Sequence, residues 1–287
     1  MDDRTLLRII RPVIGTDACS DDCAILPLPC GILVTSTDML HERSDFPKGI
    51  TDWQIGWMSA AVTISDIAAM GAEPVQLVLA IGLDDEDRLK GIVTGASDCC
   101  NQFGATYAGG DLDAHHELTI VSTGLGIITD GQPVQRRGAK PEELICVTGV
   151  LGRAIPGLTD KRFWKDLCEP QPRVEEGIAI RKAGATAMMD ISDGLALSLY
   201  DIAEESGTGM TITGSSIPIP EDVDHSEAMT AALFGGGDFE LLFCIPENSY
   251  QSLNLPCTII GRVTDEPGVI MDGRILEKKG YLHHWYE

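Results

Sequence analysis

Basic side chains are scarce in this chain of 287 residues, which has 21 lysines and arginines against 44 aspartates and glutamates and a net charge of −23. Such an acidic excess repels nucleic acid and anionic membrane surfaces. The sequence also lacks any apolar run near the roughly 18 residues of a membrane span, and its opening, MDDRTLLRII, has neither the basic start nor the apolar core of a secretory signal. We therefore expect a cytoplasmic protein with no nucleic-acid and no membrane partner.

Common cofactor motifs are missing as well. The nine cysteines are irregularly spaced, which argues against both a disulfide framework and a paired C-x-x-C zinc site, and we interpret them as small, mostly buried hydrophobes. There is no G-x-x-x-x-G-K-[ST] loop, no G-x-G-x-x-G turn after a strand and no protein-kinase catalytic loop. An ordinary P-loop or Rossmann nucleotide enzyme is therefore disfavoured.

Strands and helices are predicted to alternate along the chain. Two short buried strands are expected at residues 31–37 and 76–83, with a packed helix between them. Residues 84–103 place apolar side chains on one helical face, with acids in the first turn and Gly104 as the stop. Further strands are predicted in the segments ATYAGGD, ELTIVSTGLGIIT, LICVTGVLG, MMDISDG, FELLFCIP, CTIIGRV and GVIMDGRIL.

The polar segment 136–144, RRGAKPEEL, has a central proline and predicts the crossing into a second half of the chain. We place the boundary near residue 145, which gives domains over residues 1–145 and 146–287. Both halves mix strands and helices, so the expected fold class is α+β.

Aspartates recur at predicted strand ends or tight turns, each beside Ser, Thr, Ala or Gly. Small neighbours allow backbone and carboxylate oxygens to approach a ligand closely, and oxygen ligands without a matching His or Cys set favour magnesium. Magnesium uses only one or two protein carboxylates per ion, so this many aspartates suits several ions around a polyphosphate. The aspartates concerned are Asp21, Asp22, Asp38, Asp66, Asp111, Asp190 and Asp193.

Helix caps and turns offer an alternative explanation for any single one of these aspartates. Asp66 resists it, because this residue lies inside the near-continuous apolar run from Trp57 to Met70, where an unpaired charge is costly. Among the basic residues, Arg43, Arg136 and Arg137 are candidate phosphate partners.

Two tripeptides occur twice. Ile-Ser-Asp lies at 64–66 and 191–193, Gly-Gly-Asp lies at 109–111 and 236–238, and each first motif precedes its second by the same 45 residues, from 66 to 111 and from 193 to 238. Little else matches at the same offset, so internal duplication is the less favoured explanation.

A set of longer motifs points to a known family. DDCAIL, STDML, ISDIAAMGAEP, AGGD, RRGAKPEE, MDISDGL, GGGDFELLF and KKGY occur in this order over nearly the whole chain. In this combination the sequence resembles the thiamine-monophosphate kinase family, within the superfamily of aminoimidazole-ribonucleotide synthetase and selenophosphate synthetase. The resemblance implies a two-domain α+β fold of the aminoimidazole-ribonucleotide-synthetase type. It also implies a homodimer whose first-domain strands form a barrel, and an active site in the cleft between the domains.

The resemblance further implies transfer of the γ-phosphoryl group of ATP to thiamine monophosphate, giving thiamine diphosphate, with several magnesium ions and no covalent enzyme intermediate. It assigns no catalytic side chain beyond the metal ligands. The implied metal ligands are Asp22, Ser36, Thr37, Asp38, Asp66, Asp111, Asp190 and Asp193. The implied ATP contacts are Gly110, Asp111, Arg137 and Ser192. The implied substrate positions are Asp45, Gly237 and Tyr281, the last as a stacking partner for a flat thiamine ring.

Two substrate positions depart from the family pattern. Asp45 stands where the family has histidine, and Gly237 stands where it has glutamate. Two alternatives therefore stay open: a related ATP-dependent enzyme acting on a different small phosphorylated or amide substrate, and a non-catalytic nucleotide-binding protein.

Overall fold

The structure, a computed structural model, describes residues 3–15 and 20–282. Helices and strands alternate over this part of the chain. The helices are α1 Asp3–Ile14, α2 Asp52–Ala69, α3 Leu89–Gln102, α4 Trp164–Cys168, α5 Val174–Ala183, α6 Leu195–Ser206, α7 His225–Phe234 and α8 Glu247–Tyr250. The strands are β1 Ala24–Leu28, β2 Gly31–His41, β3 Glu73–Leu83, β4 Thr106–Ala114, β5 Thr119–Ile128, β6 Leu144–Thr148, β7 Ala187–Asp190, β8 Gly209–Ile212, β9 Leu241–Ile245, β10 Cys257–Thr264, β11 Gly268–Met271 and β12 Arg274–Ile275.

The first sheet has five strands in the order β1, β2, β5, β3, β4, and only β3 and β4 run parallel. Buried and half-buried positions alternate along β5, as expected for a sheet with one covered face. Helices α2 and α3 cover that face. On the uncovered face, Leu26, Leu28 and Met39 are exposed.

The second sheet has seven strands in the order β12, β11, β8, β10, β6, β9, β7. Its strands β6 and β9 are buried along their whole length, because helices α6 and α7 pack on one face and α5 lies in the apolar cluster on the other. Both predicted halves therefore mix strands and helices, and the predicted α+β class is confirmed. The domain boundary near residue 145 stays a prediction; the strands of the second sheet begin at residue 144.

Helix α2 lies between the two sheets. Thr51 and Gln54 form a capping box at its start, and Gly71, with a φ of 68°, follows its end. Fifteen of its 18 residues are buried, since it packs against β2, β5, α3, α5 and β7. A helix buried on all sides has no solvent-facing stripe, which explains the continuous apolar run in the sequence.

Some elements escaped the sequence analysis. Strand β1 carries Pro27 and is largely exposed, so it lacks the alternation by which a half-buried strand is recognised. The predicted helix over 84–103 begins at Leu89, after a short 3₁₀ turn. Of the cysteines within the described residues, six are buried, Cys257 is half-buried and Cys30 is exposed, while Cys19 lies outside those residues. No described helix is long and apolar enough to cross a membrane.

Candidate active site

Three carboxylates meet where α2 touches both sheets. Asp22 precedes β1, Asp66 lies in the last turn of α2, and Asp190 ends β7. Carboxylate oxygens of the three residues lie within 4.8 Å of one another. We call this group the carboxylate cluster. The sequence prediction had included all three aspartates among the metal ligands, and the fold brings them together.

The cluster is electrostatically unfavourable without a cation. Burial raises the pKa of Asp66 well above its ordinary value of 3.8, and the charges of Asp38, Asp190 and Asp22 raise it further. Burial, followed by the charge of Asp22, raises the pKa of Asp190 to about 8. Burial likewise raises the pKa of Asp38. At neutral pH Asp66 and Asp190 therefore tend to retain protons unless positive charge replaces them.

Hydroxyl groups orient these carboxylates. Ser36 donates a short hydrogen bond to Asp66, and Ser65 donates to Asp190 over 2.6 Å. Thr63 donates to Asp38 over 2.6 Å. Because Ser65 and Thr63 belong to α2, this helix aligns carboxylates that come from both sheets.

Arg136 supplies the fixed positive charge at the cluster. Its guanidinium donates to the fully buried carboxylate of Asp22 over 2.5 Å and lies 3.9 Å from Asp201. These neighbouring carboxylates raise the pKa of Arg136, although burial lowers it. Adjacent Arg137 is exposed and donates to Gln135 over 3.2 Å. Thus Arg136, named in the sequence only as a candidate, contacts the cluster; an ATP contact for Arg137 stays a prediction.

The donor set fits a hard cation. Oδ2 of Asp22 is buried and has no hydrogen-bond partner among the described residues, so it is available to a ligand. The surrounding ligand atoms are carboxylate and hydroxyl oxygens, the set that magnesium prefers. The residues present therefore fit magnesium, although its binding stays a prediction.

The other predicted metal and ATP residues are more dispersed. Thr37 is exposed and its hydroxyl lies 3.0 Å from that of Thr123. Asp111 is exposed on the edge strand β4. At Gly110 a Cβ atom would lie 1.6 Å from the carbonyl oxygen of Leu79, so only glycine permits this close approach.

A cleft of about 900 Å³ opens beside the cluster. Asp38 and Asp193 line it, and so do all three predicted substrate positions. Apolar residues complete its walls, among them Phe46, Met58, Ile155 and Phe239. The sequence analysis missed Phe239 as a site residue; its place in the GGGDFE motif was the only available signal.

Asp45 is turned toward its own loop. Its Oδ2 accepts hydrogen bonds from the backbone N–H of His41 and the hydroxyl of Ser44, both over 2.7 Å. The carboxylate therefore stabilises the turn that follows β2, which explains how an acid is tolerated in this wall.

The turn 191–193 connects the cleft to the cluster, since it directly follows Asp190. Three successive carbonyl groups accept hydrogen bonds from residues that line the cleft. Ile191 accepts from the N–H of Phe239 over 3.0 Å, Ser192 from Gly237 over 2.8 Å, and Asp193 from Tyr281 over 3.0 Å.

Comparisons with known proteins agree with this arrangement. The family model for "AIR synthase related protein, N-terminal domain" matches residues 20–128, which include the first sheet, α2 and two of the three cluster aspartates. This part of the chain is therefore similar to the N-terminal domain of AIR-synthase-related proteins.

Relatives specify the family. A thiamine-monophosphate kinase of Methanospirillum hungatei is 71% identical over 286 residues, 99% of this chain and 100% of the relative. One of Halobacterium salinarum is 36% identical over 99% of this chain and 100% of the relative. The solved structure of "AaThiL complexed with AMPPCP and TMP" matches with a TM-score of 0.92 and 26% identity, over 99% of this chain and 97% of that one. The chain belongs to the thiamine-monophosphate kinase family.

Proposed function

We propose that this protein transfers the γ-phosphoryl group of ATP to thiamine monophosphate and releases thiamine diphosphate. One observation carries the proposal: the cleft is acidic at Asp38 and Asp193 and aromatic at Phe239 and Tyr281. The acidic residues suit cations that hold phosphates, and the aromatic residues suit a flat ring. The family relationship and the ligands named for the AaThiL structure support the same reading.

The carboxylate cluster would hold magnesium. Asp22, Asp66 and Asp190 supply its ligands, with Asp38 beside them. Bound magnesium neutralises phosphate charge and aligns the transferring group. The remaining implied contacts belong to the same proposal: Ser36, Thr37, Asp111 and Asp193 toward metal, and Gly110, Arg137 and Ser192 toward ATP.

The chain's own residues mainly position the metal-binding carboxylates and balance their charge. Ser36 and Ser65 hold the carboxylates in orientation, and Arg136 offsets part of the negative charge at Asp22. No side chain is needed as a general base, because a phosphate acceptor already carries an anionic attacking oxygen. Direct transfer without a covalent enzyme intermediate is part of the same proposal.

The departures at Asp45 and Gly237 are compatible with this substrate. Since Asp45 is hydrogen-bonded within its own turn, it is not available as an isolated charge against the substrate phosphate. Gly237 has a φ of 96°, which disfavours the glutamate typical of the family. The altered wall is also the observation that favours the second candidate, a related enzyme with another small phosphorylated acceptor.

We further propose a homodimer in the cytoplasm. The uncovered face of the first sheet exposes Leu26, Leu28 and Met39, and a second copy packed there would remove this apolar surface from water. The barrel implied by the sequence resemblance is one way to bury this face.

The test is formation of thiamine diphosphate from purified protein, ATP, magnesium and thiamine monophosphate, followed by chromatography. We expect product only when magnesium is present, and none when unphosphorylated thiamine replaces the acceptor. Magnesium-dependent ATP binding without any product would overturn the proposed acceptor and support the second candidate.

A further inference from the structure

Phe239 has an unusual backbone conformation. Its φ is 50°, in the left-handed region, which bulky residues rarely adopt because their Cβ crowds the backbone. A residue held there is strained and persists only where surrounding contacts enforce its conformation. Such strain in a residue that lines the cleft calls for a functional explanation.

Contacts on both sides of Phe239 enforce this conformation. The half-buried Asp238 accepts hydrogen bonds at its carboxylate from the backbone N–H groups of residues 152–154, over 2.6 to 3.1 Å. Buried Glu240 accepts from Thr148 over 2.6 Å and forms a two-pronged ion pair with Arg173. The flanking acids therefore fix the backbone from which the phenylalanine ring projects.

The position of Phe239 is also tied to the turn that follows the carboxylate cluster. Its N–H bonds to Ile191, and the N–H of Tyr281 bonds to Asp193, so both aromatic residues are anchored to one three-residue turn. That turn begins directly after Asp190 of the carboxylate cluster. The backbone of both aromatic residues is thus attached to a turn that begins beside the carboxylate cluster.

The Phe239 ring itself is half-buried. It packs against the apolar core of the first sheet, and it also lines the cleft. A packed ring loses little freedom when a ligand stacks on it, which favours its use as a rigid wall.

We propose that Phe239 is a specificity-determining residue that contacts the ring of the phosphoryl acceptor. This inference rests on the proposed function. It says which kind of substrate this wall selects: a molecule with a flat, positively charged ring at one end and a phosphate at the other. An aromatic face attracts planar cations through its quadrupole, and the thiazolium ring of thiamine is such a cation. The anchored turn sets how far that ring lies from the transferring phosphate.

The experiment compares four variants of the full chain. Phe239→Leu and Phe239→Asn remove the aromatic face, and asparagine is the residue that best tolerates a left-handed backbone after glycine. Phe239→Tyr keeps the ring. Phe103→Leu is the matched control, because Phe103 packs edge-on against Trp57 in the same apolar core but does not line the cleft.

We measure kcat, KM for each substrate, the Kd of thiamine monophosphate by calorimetry with magnesium present, and the melting temperature. Both variants without the ring should raise KM and Kd for thiamine monophosphate about tenfold or more, the size of a desolvated cation–π contact. KM for ATP should stay unchanged. Phe239→Tyr and Phe103→Leu should match the wild type in both affinities.

The outcomes separate a failure of the role inferred for Phe239 from a failure of the proposed function. Wild-type turnover with an unchanged Kd in both Phe239→Leu and Phe239→Asn overturns the inference alone. A loss confined to kcat overturns it too, since a ring contact must appear in binding. A wild-type protein that neither binds nor phosphorylates thiamine monophosphate overturns the proposed function and this inference with it.

Discussion

The tripeptide Ile-Ser-Asp occurs inside helix α2, at residues 64–66, and again after strand β7, at residues 191–193. The first copy acts through its side chains: Ser65 donates to Asp190, and Asp66 belongs to the carboxylate cluster. The second copy acts largely through its backbone, because its three carbonyl groups hold the residues of the cleft wall.

The two Gly-Gly-Asp tripeptides differ in a similar way. Asp111 is exposed on the edge of the first sheet, whereas Asp238 is half-buried and accepts hydrogen bonds from three backbone N–H groups. The equal spacing of 45 residues within each pair of tripeptides therefore does not mean that the two pairs have equivalent structures. What each motif contributes depends on which backbone donors and charges surround it, and this contrast yields three tests.

The largest effect, a loss of catalytic activity, is expected from a substitution in the first Ile-Ser-Asp. Asp66→Asn should lower magnesium-dependent kcat by about 10³-fold or more, because it removes a charged ligand where three carboxylates meet. Its melting temperature should hardly change, since the raised pKa of Asp66 means that the metal-free protein already tends to carry it neutral. Asp193→Asn is the matched comparison, with a smaller expected loss. Equal losses of activity in the two variants would contradict the view that the first Ile-Ser-Asp acts through its side chains and the second largely through its backbone.

A smaller effect is expected at the second Gly-Gly-Asp. Asp238→Ala should lower the free energy of unfolding by about 2–3 kcal/mol, because three backbone N–H groups lose their acceptor in a buried site. Asp111→Ala should leave the stability unchanged, because its side chain is exposed. Urea unfolding of both variants measures the difference. Comparable stabilities for the two would show that the Asp238 hydrogen bonds contribute little.

The smallest effect concerns pH. The folded-state pKa values of Asp66 and Asp190 lie above their unfolded value of 3.8, with Asp190 at about 8, so the folded protein binds protons that the unfolded chain releases. Stability without metal should therefore be highest at low pH and decline as pH rises from about 4 to about 8. Calorimetry in a chelating buffer should give a melting temperature a few degrees lower at pH 8 than at pH 5, and added magnesium should reduce the gap. A flat profile would contradict the raised pKa values.

The acidic residues of the site were accessible from the sequence for a simple reason. A carboxylate such as Asp66 in an apolar run has few explanations other than a bound cation. The α+β class followed from alternating apolar patterns, and most strands of both sheets were found in this way. The family resemblance, which rests on ordered motifs, supplied the rest of the functional expectation.

Other features depended on distant contacts. Arg136 and Arg137 are neighbours of the same type, and only the fold decides which one reaches Asp22. The left-handed backbone of Phe239 is enforced by residues from three other segments, so no local propensity predicts it. Strand β1, with its proline and exposed side chains, is defined by its pairing with β2 rather than by its own pattern.

The backbone bonding of turn 191–193 has a consequence for how this protein can change over time. The bonds from residues 237, 239 and 281 to this turn join backbone N–H groups to backbone carbonyl groups, so they do not depend on which side chains stand at those positions. Substitutions in the cleft wall then leave the carboxylate cluster, on the other side of the turn, unchanged. The side chains of the cleft wall can thus differ while the aspartates of the cluster keep their positions, and Gly237 is one of the wall positions attached in this way.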